Sequence, residues 1–258
     1  MKLCFSTLGC TDYTLDEAIA LAKRNGMDAI EIRGLSGILD NEKIPCFFDK
    51  ASEETKNALH LAGVTPLVLG TSVTLHDPEK YDAALTEGLA ALRIASRIGF
   101  SAIRIFGDRI QGEEEDCLAR IAKGILALCH EAEALGVSVF LEVHGEINTA
   151  ERLEKIVATC KESARFGLIW DVCHTRSTCD PTEFYARFAP FIRHVHFKDI
   201  QGDLLVLPGE GVLPLREIAE MMTAGGYDGY FSLEWERKWH PELPPIEEAL
   251  ARYFHILK

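Results

Sequence analysis

Two hydrophobic patterns alternate along the chain. Short runs crowded with β-branched and other apolar residues are followed by longer stretches in which apolar positions recur every three or four residues. The short runs, read as strands, are Lys2–Ser6, Asp28–Arg33, Thr65–Leu69, Ala102–Phe106, Ser138–Glu142, Gly167–Trp170, His194–Phe197 and Tyr230–Glu234. The longer stretches, read as helices, are Thr14–Arg24, Glu53–Ala62, Tyr81–Ile98, Glu114–Leu135, Ala150–Ser163, Thr182–Phe188, Leu213–Ala224 and Ile246–Ile256. Gly26, Gly63, Gly99, Gly136 and Gly225 follow helices as stop signals, and Thr14 and Thr182 are placed to cap helix starts. Strand and helix in strict alternation predict a parallel sheet. Eight such units in 258 residues predict an α/β fold, a closed (β/α)8 barrel forming a single domain over residues 1–258. An open nucleotide-binding sheet is disfavoured, because the first strand runs into Thr7-Leu8-Gly9-Cys10-Thr11 with no glycine-rich dinucleotide turn.

Four of the strand runs stop on a metal-binding side chain: Glu142 in VSVFLEVHGE, Asp171 and His174 in GLIWDVCHT, His196 in RHVHFKD and Glu234 in YFSLEWE. One carboxylate at a strand end is ordinarily a loop cap or a surface ion pair. Stops on the fifth, sixth, seventh and eighth strands are different, because a parallel barrel carries all of them to one mouth. Two Glu, one Asp and one His are a hard, oxygen-rich donor set. That set predicts one divalent ion, with Mn²⁺ preferred and Mg²⁺, Co²⁺ or Zn²⁺ also compatible. His194 and His196 share one strand face; His196 is nearer the C-terminal end and is the expected ligand, with His194 as hydrogen-bonded core. Such an ion, bound to a carbonyl and its neighbouring hydroxyl, acidifies the C–H between them and stabilises the enediolate left behind. Glu142 and Glu234 are the expected acid and base.

The net charge of −13 disfavours nucleic acid and anionic membrane as partners, since both are held through Lys and Arg. A small carbohydrate substrate fits better. The start, MKLCFSTLGCTDY, has no long apolar region, and no segment approaches a membrane span, so the expected location is cytoplasmic. The eight cysteines show no C-x-x-C pair and read as buried small hydrophobes.

The segments LEVHGE, WDVCHT, HVHFKD and FSLEWE, in this order and with IEIRG, GEGVLPLREI and GGYDGYFSLEWE around them, resemble the xylose-isomerase-like barrel superfamily of sugar isomerases and epimerases. The resemblance spans essentially the whole chain. It implies Glu142, Asp171, His196 and Glu234 as metal ligands, Glu142 and Glu234 as the acid/base pair, and His174 as a substrate contact. Dimers and tetramers are usual in that family, so a homodimer or homotetramer is expected. The sequence departs from the ketose 3-epimerase pattern after the metal histidine, where Phe197-Lys198-Asp199 stands in place of a Gly-Glu pair and a nearby Arg. His144, Lys198, Trp239 and Glu31 are further substrate-contact candidates. Each has a plainer role to set against it: a loop histidine, a salt-bridged lysine, an oligomer contact, and pairing of Glu31 with Arg33 or Arg104.

The expected function is therefore a metal-dependent isomerase or epimerase of a small sugar or sugar derivative. A lyase of inosose or dehydroshikimate dehydratase type uses the same ion and base, with His144, His174 or Lys198 to protonate the leaving hydroxyl. An abasic-site endonuclease is a remote third, lacking the extra histidines on strands two to four. Gly209-Glu210-Gly211 follows the seventh strand, and its Glu would repel a phosphate dianion, which points to an unphosphorylated substrate.

Overall fold

In the computed structural model, which describes all 258 residues, ten strands form. They are β1 (Lys2–Ser6), β2 (Ala29–Ile32), β3 (Thr65–Thr74), β4 (Ala102–Phe106), β5 (Ser138–Glu142), β6 (Phe166–Asp171), β7 (Ile192–Phe197), β8 (Asp199–Gln201), β9 (Leu204–Val206) and β10 (Tyr230–Leu233). Nine helices lie between and after them: α1 (Leu15–Arg24), α2 (Ser52–Ala62), α3 (Tyr81–Ile98), α4 (Glu114–Leu135), α5 (Ala150–Cys160), α6 (Val172–Thr175), α7 (Pro181–Phe188), α8 (Leu215–Ala224) and α9 (Ile246–Leu257). Eight strands close a parallel barrel in the order β1-β10-β7-β6-β5-β4-β3-β2, the (β/α)8 topology that the alternation predicts. The other two, β8 and β9, pair as a small antiparallel hairpin inside the loop after β7. No helix is long and apolar enough to cross a membrane.

The chain divides into two compact units: Met1–Leu67 with His194–Lys258, and Val68–Arg193. In the first, β1 pairs with β10 and with β2, in the registers Phe5↔Leu233 and Ser6↔Glu31, and β10 pairs with β7 through Ser232↔His196. In the second, β4 and β5 pair Phe106↔Glu142, and β5 and β6 pair Glu142↔Ile169. In the first unit each strand turns its large apolar residues to one side and its polar and ionisable groups to the other, following the two-residue period. Leu3, Phe5, Ile30, Ile32, Val195, Phe197, Phe231 and Leu233 are buried on one parity, with Cys4, Ser6, Glu31, His194, His196 and Ser232 buried on the other. The second unit keeps the period but not the segregation, with Arg104 and Phe106 on one face of β4 and Phe140 and Glu142 on one face of β5. Trp170 stacks on Phe184 of α7 at 4.9 Å, so its neighbours Ile169 and Asp171 face the opposite way.

Local signals explain most element ends. Thr14 and Glu17 form a reciprocal capping box on α1, whose last turn carries Lys23 and Arg24 against the helix dipole. Gly136 stops α4 in the left-handed conformation, at a φ of 68°. The start of α7 differs from the sequence expectation: Asp180, not Thr182, is the cap, and Pro181 occupies the first helical position. Its carboxylate reaches the N–H groups of both Thr182 and Glu183, and proline there loses no helical hydrogen bond.

Candidate active site

The terminal segments contribute a chain of buried ionisable groups. The period of β7 puts His194 and His196 on one face, and both rings turn Nε2 to a single oxygen, Glu31 Oε2, at 3.1 and 2.9 Å. All three side chains are fully buried. Burial alone would raise the Glu31 carboxyl, but the facing His196 and His194 imidazoles outweigh it and hold it well below the usual carboxylate range. Burial pulls the His194 imidazole down, against Glu31. With Glu31 a carboxylate, both rings donate through Nε2, which fixes their tautomer. The other nitrogen of His196, Nδ1, then faces Glu234 Oε1 at 3.5 Å. Glu234 is fixed at its second oxygen by Lys198 Nζ at 2.8 Å, and Lys198 also bonds Glu236.

In the second unit, Glu142 ends β5 with Oε2 bonded to Arg104 Nη1 at 2.9 Å, both groups buried. Arg104 also donates to the Thr71 carbonyl at 3.1 Å and lies over the Phe106 ring at 4.2 Å. Asp171 ends β6 and caps the short α6, accepting the His174 N–H at 3.1 Å, while its Oδ2 lies 3.7 Å from His174 Nε2. His174 meets His144 edge-on at 4.4 Å, and His144 Nδ1 lies 3.4 Å from Asp108 Oδ1. Asp108 holds a φ of 69°, unusual for a residue with a side chain; its carbonyl accepts the Glu146 N–H at 2.7 Å, which ties the turn after β4 to the turn after β5.

Of the substrate-contact candidates, His144 and His174 are partly open to solvent, and Trp239 is 53% exposed. Trp235, by contrast, is buried, its indole N–H donating to the Pro244 carbonyl at 2.9 Å. Glu31 pairs with the two imidazoles rather than with Arg33 or Arg104. Lys198 takes its plainer role of a salt-bridged lysine, with Glu234 and Glu236 as partners. Sequence reasoning did not foresee Arg104 as the anchor of Glu142, Glu236 as the second partner of Lys198, or Asp108 as a hub. The parity of AIRIF was the available signal for Arg104: it shares a face with Phe106, which pairs with Glu142.

The chain belongs to the family described as xylose isomerase-like TIM barrel, whose model matches residues 19–255. It is 28% identical to fructoselysine 3-epimerase of Escherichia coli O157:H7 over 148 residues, 54% of this chain and 53% of that protein. It is 25% identical to inosose dehydratase of Lacticaseibacillus casei over 158 residues, 53% of this chain and 52% of that protein. The chain thus spans about half the length of the curated relatives it matches. In fold, it is similar to the crystal structure of the IOLI protein with a binding zinc atom. The TM-score is 0.81 and the identity 22%, over 99% of this chain and 97% of that one.

Proposed function

We propose that this barrel works as a single domain, as a metal-dependent isomerase or epimerase of a small sugar or sugar derivative. In this reading Glu142, Asp171, His196 and Glu234 hold one divalent ion, and Glu142 and Glu234 move the proton. The observation that carries it is the engagement of His196. A metal-ligating histidine ordinarily gives its far N–H to a carboxylate, which sets its tautomer and raises its basicity. Glu31 accepts from His196 Nε2 in that way, and the opposite nitrogen is turned towards Glu234. The donor set of three carboxylates and one imidazole, all buried, fits a hard or borderline ion, manganese being preferred.

When bound, such an ion polarises a carbonyl and its neighbouring hydroxyl and so acidifies the carbon between them. The rest falls to the chain. Glu142, held at Oε2 by Arg104, takes the C–H proton on one face and ends protonated; Glu234, held at Oε2 by Lys198, starts protonated and gives its own proton from the other side. A buried cation on one oxygen of each carboxylate fixes its direction without side-chain reorganisation, which is where positioning contributes rate. Delivery of the Glu234 proton to the opposite face gives epimerisation, whereas return of the abstracted proton from Glu142 to the adjacent carbon gives isomerisation. The working enzyme would be a cytoplasmic homodimer or homotetramer acting on a small carbohydrate.

A second reading, dehydration, is favoured by the edge-to-face pair His144 and His174, which are partly exposed and backed by Asp108 and Asp171. Elimination needs an acid for the leaving hydroxyl, and either ring can supply it. Resemblance to both an epimerase and a dehydratase supports keeping the two reactions in one test. That test pairs metal analysis with solvent deuterium incorporation into ketoses, aldoses, inososes and hydroxy-keto acids. One ion per chain and metal-dependent deuterium uptake are expected. Glu142→Gln should lower uptake by at least about 10²-fold, the low end for loss of a general base. The labelled product separates epimerase, isomerase and lyase, and failure to bind metal after reconstitution would overturn the reading.

A further inference from the structure

The loop after the seventh barrel strand is where (β/α)8 barrels often grip a phosphate, with backbone N–H groups doing the gripping. This chain builds a cradle of that kind and fills it with its own anion. Asp199, the second residue after β7, is 1% exposed. Its Oδ1 accepts the N–H of Ile200 at 2.9 Å and of Leu213 at 3.2 Å. Its Oδ2 accepts the N–H of Gly209 at 2.9 Å and of Gly211 at 3.0 Å. Four backbone donors on one carboxylate is the coordination expected of a bound anion.

The loop is shaped around this group. A Cβ at Gly211 would overlap the Asp199 carboxylate and the Ile200 carbonyl, so only glycine lets the backbone come this close. The cradle is also braced from within, by Val212 N–H donating to the Ile200 carbonyl and Glu210 N–H to the Leu207 carbonyl, each at 2.9 Å. An external phosphate would have to displace a tethered carboxylate from all four donors.

We infer that Asp199 is a built-in surrogate for a phosphate group, which closes this cradle to external anions. The substrate accordingly carries no phosphate at the end that would lie over the loop, a statement that rests on the sugar-isomerase reading above.

The test removes the surrogate. Asp199→Gly is titrated with inorganic phosphate against chloride at equal ionic strength, followed by ³¹P line broadening and by melting temperature, beside wild type and Asp199→Asn. Saturable phosphate binding that stabilises Asp199→Gly, and neither of the other two, is the expected result. If Asp199→Gly folds poorly alone, refolding in phosphate should give a several-fold higher yield than refolding in chloride. No response of that variant to phosphate by any of these measures would overturn the inference, as would saturable binding to wild type that persists in Asp199→Asn. A phosphorylated ketose that exchanges deuterium as fast as its unphosphorylated parent would overturn the substrate statement. Phosphate binding is read without metal or turnover, so its failure is distinguishable from failure of the metal site.

Discussion

In the segments drawn from the two ends of the chain, His194, His196 and Lys198 join Glu31 and Glu234 through contacts of 2.8–3.5 Å, nearly all beyond the reach of solvent. In residues 68–193 the pattern is looser. Arg104 and Glu142 make one tight buried pair, but His144, His174 and Asp108 meet at 3.4–4.4 Å with side chains 34%, 28% and 27% exposed. Both sets stand at strand ends of the same kind of sheet, so secondary structure does not account for the difference. Burial does. Groups denied water turn to one another for partners, although Glu31 Oε1 and His194 Nδ1 find none, whereas groups that keep some water can be satisfied by it. The first arrangement fixes its geometry through the protein's own contacts, and the second leaves its side chains room to move.

This contrast predicts a graded series of effects. Replacing Lys198 with Met strands Glu234 and Glu236 without their shared cation. A loss of about 3–5 kcal/mol is expected from breaking a buried pair on one side, read from urea unfolding. A loss below about 1 kcal/mol, the surface range, would erase the distinction between the two regions. Next in size is Glu31→Gln, which keeps the volume and a neutral acceptor but removes the negative charge behind His196. Metal affinity should fall about 10–100-fold, as for other carboxylates behind a ligating histidine, measured by chelator competition on protein whose circular dichroism is unchanged. Unaltered affinity would make Glu31 mere core filling. Smallest in stability terms is His144→Ala, expected to shift the unfolding midpoint by an equivalent of about 0.5 kcal/mol or less. The same variant should change the ratio of epimerised to dehydrated product, and a constant ratio across the substrate panel would remove the ring from the chemistry.

Much of this was legible in the residues. The eight barrel strands and the alternation that orders them follow from local apolar periodicity, and Lys2–Ser6, Ala102–Phe106 and Ser138–Glu142 match to the residue. The strand-end stops were visible because a polar residue closing an apolar run interrupts the pattern. The partners of those stops were not visible, because Arg104 with Glu142 and Glu31 with His196 are contacts across the sheet that no local window contains. β3 runs on to Thr74, five residues past its apolar core, because its later backbone still pairs with β4 at Thr74↔Phe106 after an irregularity in register. The β8–β9 hairpin was read as loop for a similar reason: three-residue strands around Gly202 carry too little periodicity to register.

The double imidazole contact on Glu31 also sets an order of events during synthesis. Its partners lie 163 and 165 residues further along the chain. At about 5–20 residues per second, a ribosome needs roughly 10–30 s to deliver them after Glu31 has emerged. Throughout that interval β1 and β2 carry a carboxylate destined for full burial and no group to receive it. The opening quarter of this chain therefore cannot settle early, and barrel closure has to await its last strands.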